Sequence, residues 1–96
     1  MIKYRKIKAG EKHIDAFMMK LGAKNLIVFK GSRGYAMCGY LNLGVSQKFH
    51  DVAVKIVGVS NFREALNSKV HACTYPARRL GIYKGQAMRD VLKIIA

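Results

Sequence analysis

Cys38 is the side chain in this sequence with the most direct capacity for covalent chemistry. A nucleophilic cysteine needs a neighbouring base and a lowered pKa. His50 and His71 are the nearby options, and neither stands at a diagnostic spacing. Cys38 lies within a strand-like pattern and Cys73 lies on an apolar helix-like face, so we expect both thiols to be structural. Cys38 remains the single candidate for a catalytic residue.

Metal and phosphate motifs are not evident. His71 and Cys73 form the nearest approach to a ligand pair, whereas structural zinc sites usually have two close pairs. The five carboxylates are scattered, which gives no support to a two-carboxylate hydrolytic site. Residues 31–34 spell GxxG, the backbone clamp of KH domains, but strands rather than helices are predicted on both sides, so we interpret them as a hairpin turn. We expect no metal and no cofactor, and we favour a protein that is not an enzyme.

The charge of the chain points to an anionic partner. Eighteen Lys and Arg against five Asp and Glu give a formal charge of +13, above the magnitude of about 2–8 usual for a small domain. Several tyrosines stand beside basic residues, as stacking on nucleic acid requires. We therefore expect RNA or DNA as the partner, although a solvated lysine-rich surface would give the same composition. The candidate binding residues are Lys3, Arg5, Arg33, Tyr35, Tyr75, Arg78 and Arg79.

Length and hydropathy predict a single domain over residues 1–96. No apolar run approaches the ~18 residues that cross a bilayer, and the N-terminus lacks the apolar core of a signal peptide. We expect a cytoplasmic protein with reduced thiols and no membrane contact. A domain this small buries only ~60% of its unfolded surface, so we also expect a homo-oligomer, with a dimer favoured.

The first half of the chain predicts two hairpins. Residues 2–8 and 13–21 alternate as half-exposed strands around a turn at Gly10. The uniformly apolar Leu26 to Phe29 predicts a central strand, residues 31–34 a turn, and residues 35–41 a returning strand. A short helix is predicted between Asn42 and His50.

The second half predicts one further strand and several helices. Residues 52–59 read as a strand, with Gly58 indicating a bulge or a close backbone approach. Ser60 is the predicted N-cap of the next helix. Apolar residues from Val70 to Leu80 recur at helical spacing, but Pro76 means that this helix either kinks or begins near Tyr75. An amphipathic helix is predicted over residues 85–95. The order predicts an α+β fold with a largely antiparallel sheet of about five strands and helices on one face.

A resemblance adds to this interpretation. The segment GYAMCGYLN at residues 34–42, then VGV at 57–59, TY at 74–75 and LGI at 80–82, resembles the YunC-like family of uncharacterised archaeal and bacterial proteins. The resemblance implies a compact α+β domain of unknown function, with no catalytic residues to transfer. It suggests that any site is marked by Tyr35, Met37, Cys38, Gly39 and Asn42. Some relatives carry acidic residues where this chain has Arg78 and Arg79.

Three functional hypotheses are left open by the sequence. The leading one is a non-catalytic cytoplasmic domain that binds nucleic acid by neutralising phosphates, with Tyr35 or Tyr75 stacking on bases. The second is a small-molecule site or enzyme centred on Cys38, with Asn42 and a histidine as polar helpers. The third is a scaffold that binds another protein.

Overall fold

A six-stranded β-sheet forms the centre of the computed structural model, which describes residues 2–96. Its strands lie side by side in chain order: β1 Ile2–Ala9, β2 Lys12–Leu21, β3 Lys24–Lys30, β4 Tyr35–Cys38, β5 Ala53–Ile56 and β6 Ala72–Cys73. Neighbours pair antiparallel except β4 and β5, which are parallel. The predicted α+β class with a largely antiparallel sheet is confirmed, with one strand more than expected.

Four helices complete the fold: α1 Leu43–Lys48, α2 Phe62–Leu66, α3 Tyr75–Arg79 and α4 Met88–Ile95. The crossover between the parallel strands β4 and β5 contains α1, as parallel pairing requires a long connection. Within residues 2–96, every helix is too short or too polar to cross a membrane. The predicted cap of α2 was wrong by one residue: Asn61 accepts a hydrogen bond from the Glu64 backbone at 2.9 Å, and the Ser60 backbone donates to the Glu64 carboxylate at 2.8 Å.

The helix predicted from Val70 to Leu80 was wrong over its first half. Ala72 and Cys73 form β6 against β5, and a helix begins at Tyr75, which is the second of the two alternatives that Pro76 allowed. Pro76 lies in the first helical turn, where its missing N–H needs no partner. Apolar residues three and four apart can thus arise from a short strand followed by a short helix, which helical periodicity alone does not distinguish.

Three other boundaries differ from the sequence prediction. β4 ends at Cys38 rather than at Leu41, and β5 ends at Ile56, two residues before Gly58 takes a φ of +71°. α4 begins at Met88 because Gly85 has a φ of +88° and Ala87 is extended in a bridge to Lys69. Left-handed and extended residues cannot continue a helix, so the start of α4 follows from local backbone geometry.

The core lies on one face of the sheet, beneath α2 and α4. Alternate residues of β2 to β5 point into it, and so do the buried side chains of both helices. Phe29 of β3 meets Phe62 of α2 with ring centroids 6.3 Å apart. α1 instead contacts the opposite face, where the Tyr35 hydroxyl lies 3.0 Å from that of Ser46. One helix therefore lies apart from the single helical layer that the sequence predicted.

The C-terminal end of α4 is fixed to the turn at residues 31–34. The Arg33 backbone donates to the Ile95 carbonyl at 2.9 Å, and the Gly31 backbone donates to Gly34 at the same distance. A Cβ atom at Gly31 would lie 2.0 Å from the Ile95 oxygen. The GxxG sequence thus serves close packing inside the protein, and its Gly31 and Arg33 amides are already bonded to protein carbonyls.

Gly31→Ala should destabilise the protein by about 3 kcal/mol, because the methyl group meets backbone atoms that cannot move without displacing α4. Gly39→Ala is the matched control, since a Cβ there meets nothing within 4 Å, and it should change stability by less than about 0.5 kcal/mol. Urea unfolding of both variants checks this. Equal stability of the two variants would contradict the packing described for Gly31.

Candidate functional site

The sheet face opposite the core is uncovered over β1, β2 and β3, and we call this surface the open face. Large apolar side chains stand exposed on it: Ile2 is 67% exposed, Tyr4 53% and Phe17 40%. Contiguous exposed apolar patches on small domains commonly mark binding surfaces. The open face comprises Ile2, Tyr4, Lys6, Lys8, His13, Asp15, Phe17, Met19, Leu21, Lys24, Leu26, Val28 and Lys30, by strand alternation and register.

An aromatic pair stands near the outer edge of the open face. Tyr4 of β1 and Phe17 of β2 are register partners, and their ring centroids lie 5.1 Å apart at an interplanar angle of 50°. The Tyr4 hydroxyl donates to Asp15 at 2.6 Å. This hydrogen bond is the main reason that the pKa of Tyr4 lies above its ordinary value. The bond and the ring contact hold both aromatic side chains in defined positions at the surface.

Lysines border this aromatic pair within the sheet. In one cross-strand row Lys6 faces Asp15, which in turn faces Lys30. In the next row Tyr4 faces Phe17, and the row runs on through Val28 and Met37 to Lys55. The rows are about 7 Å apart, two residues along each strand. Cations therefore lie beside the aromatic rings on one side and at the far end of their own row.

A second group of cations lies along β1 and the two helices next to it, and we call it the basic edge. Lys3, Arg5 and Arg63 line a cavity of about 280 Å³, in which the Arg5 guanidinium lies 5.9 Å from the Phe62 ring centre. Arg89 and Lys93 of α4 line a cavity of about 170 Å³ at the end of β1. Sequence reasoning missed Arg63, Arg89 and Lys93, because only the packing of α2 and α4 on the sheet brings them to β1.

The predicted nucleic-acid residues fall into three separate groups. Lys3 and Arg5 belong to the basic edge. Tyr75, Arg78 and Arg79 lie on α3, which follows β6 at the opposite edge of the sheet. Five strand spacings separate the two edges, about 24 Å. Arg33 forms the third group, in a cavity of about 320 Å³ that Lys30, Tyr35 and His50 also line. The predicted cations therefore lie at both edges of the sheet, and no single patch contains all of them.

Tyr35 links α1 to the sheet through hydrogen bonds of its hydroxyl. Its half-buried hydroxyl donates to the Asp51 carboxylate at 2.9 Å and lies 3.0 Å from the Ser46 hydroxyl. Burial is the largest cause of its raised pKa; the hydrogen bond to Asp51 also raises it, and the Ser46 bond opposes them. The polar end of the ring is thus committed to internal contacts.

Cys38 lies at the end of β4, and its thiol bonds to backbone groups of β3. The side chain is 4% exposed. Its Sγ accepts from the Ile27 N–H at 3.2 Å and donates to the Asn25 carbonyl at 3.4 Å. Cys38 also borders a cavity of about 410 Å³, together with Lys24, Asn25, Gly39, Tyr40 and residues 57–60. The thiol has a structural role, but it lies at the boundary of a space that could hold a small ligand.

The other residues marked by the family resemblance have local structural roles. The Asn42 side chain caps α1 by accepting from the Val45 backbone at 3.3 Å. Met37 is half-buried in the row that contains Tyr4 and Phe17. Gly39 borders the Cys38 cavity. Thr74, of the TY pair, is buried and caps α3, and its hydroxyl also donates to the Asp51 carbonyl at 2.7 Å. The motif residues mainly specify how β4, α1 and β5 join.

Titratable side chains do not gather into a metal-binding group. Among residues 2–96, no three of the His, Cys, Asp and Glu side chains come together in an arrangement that would hold an ion. His71 and Cys73 lie at the β6 edge, where Cys73 is buried and its thiol donates to the Ile82 carbonyl at 3.7 Å. The Cys73 thiol is thus directed to an internal carbonyl.

Comparisons with known proteins place the chain among uncharacterised relatives. A family model described as "Domain of unknown function (DUF1805)" matches residues 37–95. The chain is 32% identical over 81 residues to "Uncharacterized protein YunC" of Bacillus subtilis, a match that covers 80% of each protein. It is similar, with a TM-score of 0.96 and 38% identity, to the crystal structure of the protein of unknown function TA1206 from Thermoplasma acidophilum, covering 100% of this chain and 94% of that one.

Tyr35→Phe should cost about 1 kcal/mol at neutral pH, the net value of a lost hydrogen bond. Its pH dependence is more specific. Because the folded-state pKa of Tyr35 is raised, both states keep the proton below pH ~10, and above it the unfolded state loses the proton first. Stability therefore falls as the pH rises through the folded-state pKa, and urea unfolding from about pH 9 to 11 should show a shallower fall in Tyr35→Phe than in the wild type.

Two variants control for this effect. Asp51→Asn should lower the pKa of Tyr35 and Ser46→Ala should raise it, because the two groups act on that hydroxyl in opposite directions. Absorbance titration of the phenolate at high pH measures both changes. A shift in the same direction for both variants would contradict the hydrogen-bond assignment.

Proposed function

The chain belongs to the DUF1805 family of proteins of unknown function, as the YunC-like motifs of its sequence predicted, and we propose that it is a non-catalytic, cytoplasmic nucleic-acid-binding domain. Its basic edge and the lysines of the open face neutralise the phosphate backbone. β1 and β3 carry most of these cations and lie outside the family-model match, which begins at residue 37. The proposal is therefore made for this chain and not for the family as a whole.

The distribution of charge supports this proposal most directly. Only five carboxylates are available for 18 cations. Three of the five accept hydrogen bonds from uncharged donors: Asp15 from Tyr4, Asp51 from Tyr35 and Glu64 from the Ser60 backbone. Even if each carboxylate neutralised one cation, 13 cations (18 minus 5) would remain without a carboxylate partner. An anionic partner would relieve the mutual repulsion of these cations, which opposes folding.

The basic edge suits a phosphate backbone because its cations come from three elements and line two cavities along β1. Lys3 and Arg5 come from β1, Arg63 from α2, and Arg89 and Lys93 from α4. Arginine binds phosphate with two parallel hydrogen bonds, whereas lysine acts as a point charge. Each phosphate contact releases condensed counterions, so binding through this edge depends steeply on salt.

Removing three cations from the basic edge should weaken binding to any nucleic acid and reduce its salt dependence. The variant Lys3→Gln, Arg5→Gln, Arg63→Gln should lower the log–log salt slope on duplex DNA by about 2.7 if all three contact phosphates. Fluorescence anisotropy between about 50 and 200 mM salt measures the slope. The matched control is Arg78→Gln, Arg79→Gln, Lys84→Gln, which removes the same charge from the α3 side of the molecule.

The salt slopes of the two variants distinguish the possible binding surfaces. A smaller slope in the basic-edge variant alone supports the proposal. Equal losses in both variants would mean that binding is spread over the surface, and a larger loss in the control would place the site on α3. No binding by the wild type at about 50 mM salt would overturn nucleic-acid binding altogether.

The cavity beside Cys38 supports a second candidate function, a small-molecule site or enzyme. Its volume of about 410 Å³ lies within the range of ligand pockets, about 300–1,000 Å³. Gly39 and Gly58 leave backbone groups accessible at its wall. A reactive thiol there would need a general base, and the polar atoms nearest to Sγ are those of the β3 backbone.

Alkylation of the native protein discriminates between the two functions. We expect Cys38 to react with iodoacetamide at least about tenfold more slowly than free cysteine at neutral pH, because the side chain is 4% exposed and thiol reactivity follows thiolate character and access. Mass spectrometry of native and urea-unfolded protein measures both rates, and Cys73→Ser restricts the reaction to Cys38. A native Cys38 that reacts faster than free cysteine would favour the small-molecule site.

A further inference from the structure

We infer that the nucleic acid bound is single-stranded RNA or DNA, and that its bases stack on Tyr4 and Phe17 across the open face. This inference rests on the proposed function and adds the substrate class and the surface that selects it. The phosphates would meet lysines that border the same two rings. The sequence had predicted stacking on Tyr35 or Tyr75, so the structure moves the proposed stacking site to another pair of aromatic residues.

The two rings have the exposure and the support that base stacking requires. Tyr4 is 53% exposed and Phe17 40%, yet they are held by their mutual contact at 5.1 Å and by the Tyr4–Asp15 hydrogen bond. Single-stranded nucleic acid is commonly bound by aromatic side chains on a sheet, flanked by cations that follow the backbone. Bases within a duplex are already stacked on one another, so they cannot offer their faces to a sheet.

Tyr35 and Tyr75, on which the sequence predicted stacking, lack this combination. Tyr35 is half-buried, with its hydroxyl bonded to Asp51 and Ser46. Tyr75 is 59% exposed on α3, at the edge remote from the lysines of the open face. The pair Tyr4 and Phe17 joins two exposed rings with several cations on one continuous surface.

The dimensions of the open face fit a short single strand. Three adjacent strands give a width of about 10 Å, and seven to ten residues give a length of about 23 to 34 Å. Lys6 and Lys30 border the aromatic row on one side, Lys55 lies at its far end, and Lys24 lies beyond Leu26. A site of about four nucleotides, the lower end for single-strand-binding folds, would occupy this surface.

Charge favours a polyanion over a second copy of this chain as the occupant. Two copies packed face to face would each bring a net charge of +13, with Lys6 and Lys30 beside the joined surfaces. The carboxylate in that row, Asp15, already accepts the Tyr4 hydroxyl. A strand of phosphates supplies the opposite charge, and its bases supply the flat apolar surfaces that the rings can cover.

A single tryptophan reports on stacking directly, because the chain has no native tryptophan. Phe17→Trp places the indole on the open face, and a 12-nucleotide oligothymidine should quench its fluorescence strongly at low salt. A 12-base-pair duplex at the same phosphate concentration should quench it much less. Tyr75→Trp on α3 is the control and should respond weakly to either probe. Equal quenching of the Phe17→Trp indole by single strand and duplex would overturn the inference.

Affinity gives the second readout. Tyr4→Leu and Phe17→Leu keep the surface apolar and should each weaken oligothymidine binding by at least about fivefold, with duplex affinity unchanged. Tyr75→Leu should leave both affinities as in the wild type. If the leucine variants bind oligothymidine like the wild type while the basic-edge variant still loses affinity, the stacking inference fails and the proposed function stands.

Sedimentation tests the competing occupant. Without nucleic acid, Phe17→Glu should leave the oligomeric state of the wild type unchanged. If Phe17→Glu converts a wild-type dimer to a monomer, a second copy covers the open face and the inference is overturned. Binding of neither oligothymidine nor duplex at low salt would remove the proposed function and this inference together.

Discussion

Burial of only one face of the sheet is the constraint on which the rest of this structure depends. The buried core of this 96-residue chain lies on one face of the sheet, where α2 and α4 cover Ile14, Ile27 and Phe29. α4 reaches that position because Gly31 lets its last carbonyls approach the turn at residues 31–34. The opposite face is covered by α1 only near β4 and β5, and over β1 to β3 it carries exposed rings and lysines.

β1 lies at the edge of the sheet and contributes side chains to both surfaces that we assign to nucleic acid. Its side chains alternate, so Lys3 and Arg5 project toward the helices while Tyr4, Lys6 and Lys8 project onto the open face. Lysines on an edge strand also discourage pairing with the strands of other molecules. One strand can therefore keep the sheet from aggregating and supply cations to both of its sides. The N-terminal dozen residues, most of which form β1, hold five of the chain's 18 cations.

Much of the fold could be predicted from local pattern, and the failures have physical reasons. Period-two alternation located β1 and β2, and the glycines at residues 31 and 34 located the turn. The Val70 to Cys73 segment was predicted as helix because its apolar spacing fits a helix as well as a strand followed by a turn. The site was harder to predict, since Arg63 and Arg89 reach β1 only through packing of α2 and α4. The motif around Cys38 drew attention as the conspicuous segment, but its residues mostly serve the joints between β4, α1 and β5.

We propose that nucleic acid binds at β1 and the open face rather than at the opposite edge of the sheet. Backbone amide NMR of labelled protein, titrated with a short oligothymidine at low salt, tests it most directly because every strand reports separately. We predict that chemical shifts change mainly in residues 2–30 and in α2 and α4, with residues 75–84 nearly unchanged. Shift changes concentrated in α3, or no changes at all, would contradict the account.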